Sequence, residues 1–153
     1  RSTEINAVLA SNQLKRLDAN NEQRNKNHYT FINNLNSERF RTDLNHEGNS
    51  NYAFTPILNE PDFNLRDKIE ERLNKCDIEF RRGLSGGGSQ IRQPYIEKYI
   101  KNFNIKINGI YKAPDPLDYP QADHCHHFGW YIGNYPELDE SKINYITEIL
   151  NEN

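Results

Sequence analysis

Three stretches of the chain have the character of strands, residues 51–58 (NYAFTPIL), 77–82 (DIEFRR) and 130–134 (WYIGN), and all three are short. In the first, Tyr52 and Phe54 alternate with Ala53 and Thr55, the period of two that puts neighbours on opposite faces. Pro56 holds that strand to an edge or ends it early, because proline has no N–H for a ladder. In the second, Ile78 and Phe80 fall on one side and Asp77, Glu79 and Arg81 on the other, as in a half-buried strand. So small a sheet cannot carry a doubly wound nucleotide fold. The expectation is an α+β domain, with helices packed on a small, mostly antiparallel sheet.

Helical spacing fills the remainder. Residues 1–35 read as a helical lead-in: Ile5, Val8 and Leu9 share one stripe, Leu14 and Leu17 extend it, and a second stripe runs through His28, Phe31, Ile32 and Leu35. Asp18 is the expected cap of the second helix. Residues 36–50 hold Ser37, Asp43, Asn45, Gly48 and Asn49 and little apolar content, a loop. From Asn64, a good N-cap residue, Leu65, Ile69, Leu73 and Cys76 are spaced for one buried face. Residues 93–102 give a short helix with Tyr95, Ile96, Tyr99 and Ile100, and 105–120 an irregular segment with three prolines. The clearest element is the last: Asp139 caps a helix whose Ile143, Ile146, Ile149 and Leu150 face inward, with Leu138 stapled onto Ile143. Residues 51–153 thus form an α+β body behind the lead-in, and 1–153 reads as one domain.

A formal charge of −3, from 19 basic and 22 acidic side chains, makes no global field that would recruit nucleic acid or an anionic membrane, so any anion site is local. The longest apolar run, Ala7 to Ala10, is far short of a membrane span or signal core. Cys76 and Cys125 lie far apart with no CxxC partner, and reduced thiols in a cytoplasm are the reading. Asparagine occurs 22 times against 6 alanines, which reads as coding bias.

Chemistry concentrates in two places. The first is RRGLSGGGSQIRQP, residues 81–94, where glycines without Cβ let backbone N–H groups approach an anion. Its spacing matches neither the GxxxxGK loop nor GxGxxG. Arg81, Arg82 and Arg92 offer guanidinium forks for phosphate, and Ser85, Gly87, Ser89, Gln90 and Gln93 offer backbone and side-chain partners for sugar hydroxyls or a base. A phosphorylated sugar uses both. The competing reading pairs each arginine with Glu79 or another surface acid. The second place is ADHCHHFGW, residues 122–130. Zinc needs ligands converging from one face, and here only Asp123 with His127, or His124 with His127, could do so. With His28 and His46 isolated, no complementary pair completes a site, and a buried or substrate-facing histidine is the preferred reading. Trp130 and Tyr131 read as core. Glu70, Glu71, Glu137 and Glu140 read as solvated helix faces.

The opening RSTEINAVLASNQLKRLD carries Arg1, Glu4 and Ala7, then Gln13 and Leu14, and is followed by Arg24 and Tyr29. In that order and spacing it resembles the DegT family of pyridoxal-phosphate sugar aminotransferases and dehydratases, in the stretch just after the active-site region. The likeness continues in the helix before CDIEFRR and in YIGNYPEL before the last helix, and so covers essentially the whole chain. The glycine-rich loop departs from the family's aminotransferase pattern and looks more like the branch that acts as a 3-dehydrase on nucleotide-linked 4-keto-6-deoxy sugars in lipopolysaccharide O-antigen building. The resemblance implies the C-terminal small domain of a fold-type I enzyme, with the large cofactor-binding domain upstream of Arg1. It also implies pyridoxal or pyridoxamine phosphate in the complete protein and none on this part, a nucleotide-diphosphate sugar as substrate, and a homodimer. Substrate contacts would come from Arg81, Arg82, Ser85, Gly87, Ser89, Gln90 and Arg92, with no catalytic base and no metal ligand here, since none of the nine lysines stands in a recognisable Schiff-base context. A stand-alone sugar-nucleotide-binding or regulatory module remains open beside it.

Overall fold

The computed structural model describes residues 3–84, 87–103, 106, 109 and 114–152. In chain order they form α1 (Glu4–Leu14), α2 (Leu17–Asn34), β1 (Ala53–Phe54), α3 (Phe63–Lys75), β2 (Phe80–Arg82), a 3-10 turn (Gln90–Arg92), α4 (Tyr95–Phe103), a second 3-10 turn (Pro116–Asp118), α5 (Pro120–Phe128), β3 (Trp130–Gly133) and α6 (Glu140–Asn151). The strands make one small sheet of order β1-β3-β2. This is the expected α+β fold, with α5 added just after the segment 105–120 read as irregular, over residues given no element. The chain groups into two compact units. None of the described helices is long and apolar enough to cross a membrane.

The first unit is Arg1–Asn36, Thr42–Phe54 and Gly133–Asn153. Helix α2 packs along α6, burying Phe31, Ile32, Ile143, Ile146, Ile149 and Leu150, and Phe31 stacks on Phe54 with ring centroids 4.2 Å apart. Asp139 caps α6 by accepting the Lys142 N–H at 3.0 Å, and Leu138 beside it is buried. Asn134 lies beyond β3, 2% exposed. Its side-chain amide donates to the carbonyls of Arg24 (3.0 Å) and Asn51 (2.8 Å) and accepts from Asn27 at 3.2 Å. A further pair of amides ties the helix ends, with Asn151 donating to the Asn34 carbonyl at 2.7 Å and Asn34 to Asn144 at 2.7 Å.

Two expectations fail in this unit. The stripe of α1 is exposed, with Ile5, Val8 and Leu9 at 72%, 60% and 59%, so the periodicity marks an apolar face that no described residue covers. Asp18 does not cap α2. The cap position is Arg16 and Asp18 sits inside the first turn, where a carboxylate still complements the helix dipole.

The second unit is Ser37–Arg41 and Thr55–Ile132. Strands β2 and β3 pair antiparallel, Phe80 with Ile132, Arg81 with Tyr131 and Arg82 with Trp130. The Trp130 N–H donates to the Pro56 carbonyl at 3.0 Å, so proline contributes the acceptor it still has. Strand β1 does end before Pro56, but Ala53 and Phe54 are both buried and Tyr52 is exposed, which breaks the expected alternation. The cap of α3 is Asp62 and not Asn64: its carboxylate accepts the Leu65 N–H at 2.9 Å from an extended residue. Ile69 and Leu73 are fully buried as expected. Cys76 is only half-buried, because it closes the helix. Asp77 takes a left-handed φ of 59°, so the turn consumes it and the strand starts at Phe80.

His28 stands apart among the buried polar groups. It is 3% exposed, lies against His46 and Phe54, and neither ring nitrogen has a hydrogen-bond partner among the described residues. Burial first, and the His46 charge second, push its pKa down to about 4. The folded chain therefore refuses a proton that the unfolded chain accepts near pH 6.5, and stability is complete above that pH and falls as the pH drops toward 4. His28→Leu is expected to raise stability at neutral pH by about 1–3 kcal/mol and to flatten the decline between about pH 6.5 and pH 4. Urea midpoints measured across that range check this, and an unchanged decline in the variant would refute it.

Candidate functional site

Helix α5 is the element around which the sequence-selected residues collect. Pro120 opens it at the first helical position, where its fixed φ suits the helix and its missing N–H costs nothing. Gly129 closes it, its N–H donating to the Cys125 carbonyl at 3.1 Å. Asp123, His126 and His127 stand three and four residues apart, one face of one turn.

The glycine-rich segment folds down on that face. The Gly83 N–H donates to the Gly129 carbonyl at 2.8 Å. Gly83 has a φ of +86°, and a methyl group there would lie 2.6 Å from the Gly88 Cα. Gly88 has a φ of +83°, and a methyl group there would collide with the His126 Nδ1. Both positions therefore require glycine, one for backbone against backbone and one for backbone against an imidazole edge. The Ser89 N–H donates to His126 Nδ1 at 3.2 Å. Gln93 Nε2 donates to the Gly87 carbonyl at 2.7 Å, and Gln90 Nε2 to the Gly88 carbonyl at 3.2 Å. The Tyr95 hydroxyl donates to Gln90 Oε1.

The arginines divide. Arg82, at the end of β2, donates from Nε to Glu70 Oε1 at 2.7 Å and from its second nitrogen to Glu70 Oε2, while Trp130 Nε1 donates to the same Oε1 at 2.9 Å. Glu70 is thus no solvated helix face: its side chain is 14% exposed. Arg92 donates from Nε to Asp123. Arg81 is exposed, its guanidinium 3.8 Å from Glu79, and as the strand neighbour of Arg82 it projects from the opposite face. So the fold sets Arg92 and Ser89 against α5, keeps Gly87 and Gln90 on the same segment beside them, and leaves Arg81 out. Ser85 lies outside the described residues.

Charge near α5 is locally balanced. The Arg92 hydrogen bond holds the Asp123 carboxyl below its ordinary range, with the charges of Arg92, His127 and His126 adding to it against burial. Burial lowers the His126 pKa first, then the charges of His127, Arg92 and Arg82, with Asp123 opposing. His127 is lowered chiefly by burial, with Asp123 opposing and Arg92, Arg66 and Arg82 assisting. His124 Nε2 lies 2.7 Å from the Leu58 carbonyl. Among the described residues no group of three or more His, Cys, Asp or Glu is arranged to hold a metal ion.

Sequence reasoning missed Glu70, Asp123 and His126 as partners of the loop. Glu70 had a signal, since it follows Ile69 and precedes Leu73 by three on the rim of the buried stripe. His126 had none beyond its place in a histidine-rich run. Glu70→Leu is expected to cost about 1–3 kcal/mol, because the indole N–H of fully buried Trp130 and the Arg82 fork both lose their acceptor. Glu70→Gln, which keeps one oxygen, costs less. Trp130 is the sole tryptophan, so its fluorescence during urea unfolding reads the effect directly, and equal midpoints for wild type and Glu70→Leu would refute it.

The profile of the DegT/DnrJ/EryC1/StrS aminotransferase family matches residues 1–151. No curated protein sequence matches the chain. Among solved structures, a protein from Streptococcus pneumoniae described as a sugar aminotransferase, in its PMP form, superposes with a TM-score of 0.73 at 19% identity, covering 99% of this chain and 35% of that one. E. coli GDP-4-keto-6-deoxy-D-mannose-3-dehydratase with bound hydrated PLP gives 0.64 at 20% identity, covering 98% and 36%. An aminotransferase from Psychrobacter cryohalolentis gives 0.71 at 21%, covering 98% and 38%. The fold is shared at these identities, and the chain spans little more than a third of the length of the structures it matches.

Proposed function

Since the chain belongs to the DegT/DnrJ/EryC1/StrS aminotransferase family, we propose that it is the C-terminal small domain of a pyridoxal-phosphate-dependent enzyme acting on a nucleotide-linked 4-keto-6-deoxy sugar. In this reading the enzyme is an aminotransferase or 3-dehydrase of lipopolysaccharide O-antigen building. It works in the cytoplasm as a homodimer, and this part grips the nucleotide-diphosphate sugar without supplying the catalytic base.

The observation that carries the proposal is the preorganised pair of guanidinium groups. Glu70 holds Arg82 and Asp123 holds Arg92, yet the side chains remain 43% and 32% exposed. Each guanidinium has five N–H donors, so fixing one edge on a carboxylate leaves others for a diphosphate and removes rotamer entropy that binding would otherwise cost. Gly87, Ser89 and Gln90 stand on the same segment, within the range of groups that sugar hydroxyls use. Grip of this kind contributes to catalysis by positioning and not by proton transfer.

No described lysine is placed to form a Schiff base with the cofactor. A lysine that forms a Schiff base needs a lowered pKa, obtained by desolvation or a neighbouring cation, and every described lysine is exposed. The proposal therefore assigns the cofactor of the complete protein to further polypeptide, in keeping with the third or so of the matched structures that this chain spans.

Calorimetric titration with GDP-mannose as probe tests the grip. Arg92→Ala is expected to weaken binding about ten- to a hundredfold, the effect of losing a charge-assisted hydrogen bond. Arg82→Ala does the same if its melting temperature shows that it folds, and Arg81→Ala leaves binding unchanged. No binding by the wild-type chain, or equal binding by all three variants, would overturn the proposal.

A further inference from the structure

We propose that His126 is the positioning residue of the glycine segment: its unprotonated Nδ1 holds Gly88 and Ser89 against α5, and acquiring a proton releases them.

The contact has two parts, both aimed at the same atom. The Ser89 N–H donates to Nδ1 at 3.2 Å, and Gly88 brings its Cα so close to the imidazole edge that a methyl group would strike Nδ1. A ring nitrogen accepts only while it carries no hydrogen, so the observed contact fixes the tautomer with the proton on Nε2. In the imidazolium both nitrogens are donors. Nδ1–H would then face the Ser89 N–H, two donors with no acceptor between them, and the segment must move off the ring.

The other anchors of the segment do not depend on that proton. Gln93 holds the Gly87 carbonyl, Gln90 the Gly88 carbonyl, the Arg92 N–H the Ser89 carbonyl, and Asp123 holds Arg92, so release is confined to the Gly88–Ser89 peptide leaving the ring. The charged groups that act on His126 come from three elements: Asp123 and His127 on α5, Arg92 on the 3-10 turn and Arg82 on β2. The cations, together with burial, oppose its protonation, and Asp123 favours it, with the net effect downward. A depressed folded-state pKa means the contact is complete at and above the ordinary imidazole range and is lost as the pH falls through the lower folded value.

Release of the segment stands on this geometry alone. Its consequence for ligand rests on the reading of the preceding subsection: the Gly88–Ser89 peptide would lose its fixed place on α5 while Ser89 stays joined to Arg92 through its carbonyl, and grip would weaken in acid.

Nuclear magnetic resonance on the 15N-labelled chain, titrated from about pH 8 to about pH 5, spans the ordinary imidazole value near 6.5 and stops short of the pH near 4 at which His28 titrates. The expected result is an unprotonated Nδ1 at the start, and a Ser89 amide proton that shifts with the same midpoint as His126, below the ordinary value. His126→Asn places an oxygen near the Nδ1 position and cannot titrate, so its Ser89 amide should stay bonded across the range. His126→Leu should show the released amide throughout. A Ser89 amide that ignores the titration of His126, one that shifts alike in His126→Asn, or an Nδ1–H tautomer at the start would overturn the inference.

GDP binding at both ends of the range forms the second arm. Wild type should weaken relative to His126→Asn by about two- to tenfold in acid, the worth of one hydrogen bond. Equal weakening of the two proteins counts against the link to grip. Absence of GDP binding at either pH, with the Ser89 amide responding as expected, overturns the proposed function and leaves the positioning role supported.

Discussion

One carboxylate governs the second unit. The ladder between β2 and β3 has three residue pairs, and so short a pairing has little stability of its own. Its last pair sets Arg82 beside Trp130, and Glu70 of α3 takes donors from both. A poorly hydrated charge is tolerable only when it is paired and hydrogen-bonded, and here the guanidinium satisfies the charge while the indole uses what remains of an oxygen. Helix, strand and strand are thereby locked in one relation, and the chain leaves Arg82 into Gly83 in a fixed direction.

That direction decides where the glycines land. Gly83 and Gly88 approach each other more closely than any residue with a Cβ could, and Gly88 meets His126 in the same way. Around them three arginines have acids of their own: Arg66 with Asp67, Arg82 with Glu70, Arg92 with Asp123. With those charges balanced in pairs, a proton on His126 or His127 is a net change of local charge. A segment that is held by an imidazole lone pair is for that reason sensitive to pH in a way that the carboxylate-held arginines beside it are not.

The first unit rests on amides instead. Asn27, Asn134, Asn34, Asn144 and Asn151 bond with one another or with helix carbonyls. The abundance of asparagine, which reads as coding bias in the sequence, has structural use at these positions, because an amide donates and accepts at once, and at Asn27 and Asn134 it does so without carrying charge into a buried place. His28 is the contrast, buried with neither nitrogen bonded among the described residues.

What was legible in the sequence was whatever depends on neighbours along the chain. Asp139 with Ile143 and Ile146 announced α6, Ile69 with Leu73 announced the buried face of α3, and Pro56 announced the early end of β1, since caps, periodicity and a missing N–H are local properties. The order of the N-terminal residues also announced the family. Asp62 displaced Asn64 as cap because either can serve and only the chain's path selects one. The stripe of α1 was real but said nothing about whether anything covers it. The partners of the glycine segment lay 31 and 37 residues away, in Asp123 for Arg92 and His126 for Ser89. Such pairings are set by where a three-residue ladder and a shared carboxylate aim the backbone, and so the arginines and glycines could be picked out by composition, while which of them act together was decided only when the chain folded.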